Sequence, residues 1–466
     1  MDTEAKEAVL RHAEQKQEAR LEELIEFLRI PSISTRPEHA GDVRAAAQWL
    51  AQAMRDAGLE NVQLFETEGH PLVYGDWLHA GPQAPTVLIY GHYDVQPAEP
   101  LDEWHTRPFE PEVRDDFLYA RGASDDKGQL YIHVKVVESY LQSEGRLPLN
   151  VKFIVEGEEE IGGKHLSAFV PQHKELLAAD VALISDSAML GPQQPSIVYG
   201  LRGLCYVLVD VIGPDHDIHS GSYGGGINNP INALSHIIAG LKDEEGRIQI
   251  PGFYDDVRAL SEDERAMLAQ LSLDEERWLA QTGAPAVWGE PEYSLVERLG
   301  ARPTLDVNGI VGGYTGEGAK TIIPSRVHAK VSMRLVPDQD PEKIGELFEA
   351  YVRELAPPTV RLSFEHLGAA AASMNDYNTP AVQAAAEAYE TVFGRGPLFR
   401  REGGSIPVVG DFQRHLGLET VLMGFGLPDD RIHSPNERFH VPNFYRGIES
   451  GIHFLAAYAR RGRSKA

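Results

Sequence analysis

Short apolar runs alternate with helix-period patterns along the N-terminal part of the chain. Leu21, Leu24, Ile25 and Leu28 recur at helical spacing until RIPSIS, where Pro31 ends the helix. Then come TVLIYGH, KGQLYIHVKVVESYL, NVKFIVEG, the KHLSAFV region and DVALISDS, strand-like and helix-like in turn. Strands that alternate with helices predict an α/β fold with a mainly parallel sheet covered on both faces. From about residue 197 the texture changes. LRGLCYVLVDVIG, AKTIIPSRVHAKVSMRLVP and VRLSFEHLG read as half-exposed strands, with helical INALSHIIAGL and PEKIGELFEAYVREL between them, which predicts a separate α+β domain. Near Asn378 the alternation of helix and strand resumes, through TPAVQAAAEAYETVF, GLETVLMGFG and NFYRGIESGIHFLAAYARR. Residues 1–196 and 371–466 are thus expected to build one domain and 197–370 an inserted one. The segment Gly283 to Pro303 reads as a long loop.

Length agrees with this division, since 466 residues are enough for two or three domains. Acidic residues outnumber basic ones by 70 to 43, so a phosphate-backbone partner is not expected. The N-terminus lacks a basic start followed by an apolar core, and no run is long enough to span a membrane, so the expected location is cytoplasmic. The single cysteine, Cys205, cannot form an intrachain disulfide and lies in an apolar run, where it reads as a packed small hydrophobe. GGYTGEGAKT superficially resembles a phosphate loop, but Ala319 stands where that loop needs its lysine.

The chemistry collects at the carboxyl ends of the predicted parallel strands, where open α/β sheets bind ligands. TVLIY leads to His92 and Asp94, NVKFIV to Glu158, Glu159 and Glu160, DVALI to Asp186, and the GLETVLMGF strand to the loop with His433. The loop before the Lys127 helix adds Asp125 and Asp126. Taken singly, Asp125 could be a helix cap, Asp186 a turn residue, His433 a surface histidine and the glutamate run a solvated face. Together they form a ligand set. Asp94, two residues beyond His92, can hydrogen-bond its imidazole and raise its basicity. One ion would leave carboxylates unpaired and repelling, whereas two divalent ions sharing a bridging carboxylate absorb them. The mixture of imidazole and carboxylate suits zinc, and also manganese or cobalt. If one glutamate of the run ligates an ion, a neighbour can act as general base and the third can stay solvated.

The strings GHYDVQPAEPLDEWHTRPFEP, RGASDDKG, EGEEEIGG, ISDS, DIHSGSYGG, GAKTIIPSRVHAKVSMRLVP, REGGSIPV and HSPNE, in this order, closely resemble the motifs of carnosinase-like dipeptidases, co-catalytic zinc peptidases of metallopeptidase family 20. The resemblance implies that His92 and Asp186 bind one ion, Glu160 and His433 the other, and that Asp125 bridges them. It implies Glu159 as general base, Asp94 as the partner of His92, and a structural role for Asp126. It further implies that the inserted domain is a lid and forms a homodimer. His219 would reach the partner subunit's active site to stabilise the oxyanion, and Arg334, with Thr321 and Ser405, would hold the substrate's terminal carboxylate. Ordinary readings of Arg334 as a surface ion pair and of Ser405 as a turn residue stand beside these. Glu158 and Glu159 could exchange roles by one place, though the spacing to Ile161 and Gly162 favours Glu159.

The expected reaction is amide hydrolysis of dipeptides or short peptides with a free carboxylate. A hydroxide held between the ions attacks the carbonyl, and Glu159 carries a proton to the leaving amine. The rival on the same scaffold is an N-acyl-amino-acid deacylase: an aminoacylase, deacetylase or desuccinylase. A metal-binding scaffold without activity would lack a usable base, and Glu159 is present.

Overall fold

The computed structural model describes residues 3–271 and 273–462; the expected domain spans therefore include a few residues, 1–2, 272 and 463–466, outside the described ones. The chain divides into two compact units, Met1–Tyr199 with Asn375–Phe399 and Pro407–Ala466, and Gly200–Met374 with Arg400–Ile406.

The first unit is built on a sheet whose strands run in the order Glu60–Phe65, Leu72–Trp77, Asn150–Glu156, Thr86–His92, Val181–Ile184, Thr420–Leu422 and Ser196–Leu201. From Asn150–Glu156 to Thr420–Leu422 neighbours are parallel; the flanking pairs are antiparallel. Asn150–Glu156 is buried at every position, as a central strand covered on both faces must be. Lys152 is tolerated there because its Nζ donates to the carbonyls of Leu176 and Ala178, each at 2.7 Å. The helix Lys127–Glu144 is buried all round from Lys127 to Tyr140, a core helix rather than a surface one. It packs on the C-terminal helix Val441–Gly462. A Cβ at Gly447 or Gly451 would lie 2.4 Å from Ile132 or 2.5 Å from Val136, so the two axes approach through glycines.

The second unit carries an antiparallel sheet in the order Thr304–Gly312, Arg326–Leu335, Gly203–Ile212 and Arg361–Ala370. Burial alternates along Gly203–Ile212, and Cys205, Val207, Val209 and Val211 face inward. The helix Pro341–Leu355 belongs to the same core through Ile344, Phe348 and Val352, one turn apart. Its start is fixed by Pro341 and by Asp340, whose carboxylate accepts the amides of Glu342 and Lys343 at 2.9 Å. Cys205 is packed as the sequence predicts. The stretch Gly283 to Pro303 is not one loop. A helix, Leu295–Gly300, starts there at Ser294, which forms a capping box with Glu297.

Candidate metal centre

The parallel strands deliver their chemistry at one edge. His92 ends the strand Thr86–His92, the run Glu158 to Glu160 follows Asn150–Glu156, Asp186 follows Val181–Ile184, and His433 lies in the loop beyond Thr420–Leu422. Asp125 precedes the helix Lys127–Glu144, whose cap position belongs to Asp126 and has no side-chain cap bond. The helix-cap reading of Asp125 is therefore not what the structure shows.

Asp125 divides its two oxygens. Oδ1 lies 3.1 Å from His92 Nε2, and Oδ2 lies 2.9 Å from His433 Nε2. His92 Nε2 is also 3.9 Å from Asp186 Oδ2, and His433 Nε2 is 3.2 Å from Glu160 Oε2. Two clusters result, His92 with Asp125 and Asp186, and Asp125 with Glu160 and His433; within each, the donor atoms all lie within 4.8 Å of one another. His433 adopts a left-handed backbone (φ 60°), as do Arg431 and Asn436 in the same loop. Histidine tolerates this region better than most residues, and it often marks functional loops.

Asp94 does more than the sequence predicts. His92 Nδ1 is 3.1 Å from the main-chain carbonyl of Asp94 and 3.4 Å from its carboxylate. The strand ends at His92, so a strand's alternation does not place Asp94; the turn beyond it does. The Asp94 carboxylate accepts the amides of Glu159 and Glu160, both at 3.2 Å. It thereby ties the imidazole to the glutamate turn. That turn, Glu159–Ile161, closes on Gly162 and Gly163, whose φ values of 95° and 60° suit glycine.

Glu158 is not solvated, contrary to expectation for one member of the run. It is 4 % exposed. It accepts the His70 amide at 3.1 Å, and its other oxygen lies 2.5 Å from His165 Nδ1. Its oxygens are thus engaged away from the clusters. Burial, with the carboxylates of Asp186, Glu160 and Asp125, pushes the pKa of Glu159 up, although His92 opposes the shift. A carboxyl group held among these carboxylates is placed to take part in proton transfer.

The donor set fits divalent ions. Burial disfavours a charged His92, but hydrogen bonds to Asp125 and Asp94 outweigh it and hold its pKa well above the usual value. Hydrogen bonds to Asp125 and Glu160 push His433 up to about 10. Protons on the imidazoles thus supply positive charge that a dication can replace. Below a pH of about 10 the metal-free His433 is charged, so its proton must leave on binding and affinity falls as pH falls. Calorimetry near neutral pH in buffers of different ionisation enthalpy is expected to show release of roughly two protons per subunit. A heat independent of buffer would contradict this.

Two positioning residues, Gln96 and Glu437, gave no sign of that role in the sequence. Gln96, within GHYDVQP, donates from Nε2 to Glu160 Oε2 at 2.8 Å. Asp126 accepts the His92 amide at 3.2 Å, the structural role expected of it. Glu437, the last residue of HSPNE, is fully buried and takes donors from Arg121 Nη1 (2.7 Å) and the amides of Gly122, Ser124 and Asp125 (3.0, 3.0 and 3.1 Å). It braces the Asp125 loop from the His433 loop. Removing the acid strands a buried guanidinium, so Glu437→Ala is expected to cost about 3–5 kcal/mol in denaturant unfolding of the metal-free protein. A loss below roughly 1 kcal/mol would deny it that role.

In the second unit, His219 ends the two-residue strand Ile218–His219, paired with Ile322–Ile323. It is exposed, and its Nδ1 accepts the Gly221 amide at 3.0 Å. Thr321 is exposed beside it, its carbonyl accepting the Ser220 amide at 3.0 Å. Arg334 Nη1 donates to Ser405 Oγ at 3.2 Å, which brings those two candidates together.

Two imidazole–carboxylate clusters sharing one carboxylate, at the carboxyl edge of an α/β sheet, form a donor set of the kind that metal-dependent hydrolases use. The chain belongs to peptidase family M20/M25/M40, whose profile matches residues 88–459. It is similar to the Cys-Gly metallodipeptidase DUG1 of Candida albicans, with 33% identity over 463 residues, covering 94% of each chain. It is also similar to the Beta-Ala-His dipeptidase of Mus musculus, with 34% identity over 380 residues, 79% of this chain and 76% of that one. Among solved structures, the M20 family metallo-carboxypeptidase Sso-CP2 from Sulfolobus solfataricus matches with a TM-score of 0.86 and 35% identity, over 95% of this chain and 99% of that one. The protein is a metallopeptidase, and its kinship with carnosinase-like dipeptidases holds. No helix among the described residues is long and apolar enough to cross a membrane.

Proposed function

We propose that this protein cleaves dipeptides bearing a free C-terminal carboxylate, with two divalent ions, zinc above all, at the centre described. The observation that carries the reading is the division of the Asp125 oxygens between two histidine-containing clusters. His92 and Asp186 would hold one ion, Glu160 and His433 the other, and Asp125 both. Bound there, the ions would polarise the peptide carbonyl and acidify water. Glu159 takes the proton of the attacking water and returns it to the leaving amine. Asp94 keeps the Glu159–Glu160 turn and the His92 ring in register for that transfer. His219 of the partner subunit stabilises the charge that develops on the carbonyl oxygen. Arg334, Thr321 and Ser405 receive the terminal carboxylate. In this proposal the inserted region, residues 197–370 by sequence pattern, acts as lid and dimer contact.

The test strips the protein with chelator, restores zinc, manganese or cobalt, and compares an Ala-Ala dipeptide with N-acetyl amino acids. Metal-dependent dipeptide cleavage, at least about tenfold faster than deacetylation, is the expected result. Preferential deacetylation would move the reading to the acylase alternative. A tripeptide in the same assay shows whether cleavage extends to longer chains, a question raised by the likeness to the Sulfolobus metallo-carboxypeptidase.

A further inference from the structure

Arg202 precedes the strand Gly203–Ile212, and Arg334 lies near the end of Arg326–Leu335. The antiparallel register pairs Arg334 with Leu204 and Leu335 with Gly203, so both arginines stand at the same end of the strand pair. Ser405 joins them. Its Oγ donates to the main-chain carbonyl of Arg202 at 2.5 Å and accepts from Arg334 Nη1 at 3.2 Å. Arg202 uses Nε to reach the Gly403 carbonyl at 3.2 Å, while its Nη1 is buried with no hydrogen-bond partner among the described residues.

Two partly buried guanidiniums that repel each other are costly without an anion. Burial, then the charge of Arg334, pull the pKa of Arg202 down to about 10. Asp306 bears on both arginines, but its side chain is 63% exposed and it faces Lys242 Nζ at 3.6 Å. It does not neutralise the pair. The loop leaves little room for another partner near Gly403, where a Cβ would come within 2.6 Å of Arg202 Nη2, whereas Gly404 faces open space. A guanidinium fork with spare donors, beside a second guanidinium and a hydroxyl, matches a carboxylate.

We propose that Arg202 is a second carboxylate-binding residue, completing with Arg334 and Ser405 a two-arginine receptor for the substrate's C-terminal carboxylate. The inference rests on the peptidase reading above and adds to it a residue and a selectivity. The rival role is mechanical: Arg202 would only brace the Gly403 loop. Because Ser405 bonds to the main chain of Arg202, a side-chain substitution there leaves that contact in place.

The test compares a dipeptide with its C-terminal amide in the metal-loaded enzyme and in Arg202→Gln, Arg202→Lys and Arg334→Gln. Calorimetric binding of both ligands is measured in parallel on a Glu159→Ala background, and melting curves check folding. Arg202→Gln is expected to lower the acid-to-amide preference about tenfold, mainly through KM and binding, with cleavage of the amide little changed. Arg202→Lys, which keeps charge but loses the fork, is expected to fall between, and it serves alone if the glutamine variant melts early. An equal loss on acid and amide would overturn the inference in favour of a brace. An unchanged preference in both Arg202 variants, with Arg334→Gln impaired, would overturn it while sparing the carboxylate reading. An unchanged preference in all variants would overturn both.

Discussion

Glu159→Ala is expected to lower kcat by roughly a thousandfold or more while the protein still binds two ions with little change in affinity. General bases contribute about 10²–10⁴-fold, and a thousandfold loss corresponds to about 4 kcal/mol in the barrier. The reason lies in the turn after Asn150–Glu156. Asp94 anchors the amides of Glu159 and Glu160, and His433 Nε2 reaches Glu160 at 3.2 Å, whereas Glu158 is engaged by His70 and His165. Glu158 is held elsewhere, whereas Glu159 feels the charges of His92, Asp186, Glu160 and Asp125 without being a member of either cluster. Its loss should therefore remove proton transfer and leave metal binding. Steady-state kinetics with elemental analysis of the same sample decides the point. A parallel loss of metal would make Glu159 a ligand, and a Glu158→Ala variant with the larger kinetic defect would move the base by one place.

Asp125→Ala is expected to have the second large effect, and of a different kind. Both clusters use this carboxylate, one oxygen each, so its removal damages both at once. Loss of outer partners of metal ligands alone costs about 10–100-fold in affinity, so loss of a shared ligand should exceed roughly a hundredfold at each ion. Asp186→Ala and His433→Ala should each spare the opposite ion. Competition with a chromogenic chelator measures this. A protein that loses only one ion on Asp125→Ala would show that the carboxylate does not bridge.

The clustering of His92, Glu160, Asp186 and His433 was legible because they lie at or beyond the carboxyl ends of strands whose apolar runs are conspicuous, from TVLIYGH to DVALISDS, while Asp125 joins them from the loop before the Lys127 helix. Where the chain turns, the sequence was less informative. The direction of Glu158 depends on a turn closed by left-handed Gly162 and Gly163 and on His70 and His165, which lie elsewhere in the chain. The position of Asp94 depends on where the strand stops, which periodicity does not tell. Gln96 and Glu437 lay inside the motifs GHYDVQP and HSPNE, yet neither residue type advertises a bracing role until the loops are folded together. The helix Leu295–Gly300 carried a readable signal, Ser294 with Glu297 three residues on, that the surrounding glycines and prolines obscured. Arg202 sits before an apolar run and gives no sequence sign of its neighbours; only the strand register sets it beside Arg334.

The most direct test of the central claim is a zinc titration of the chelator-stripped protein, following bound metal and Ala-Ala hydrolysis together. Two equivalents per subunit should bind, with full hydrolysis reached only as the second site fills. Saturation and full activity at one equivalent, or two bound equivalents with no peptide cleavage, would contradict the account.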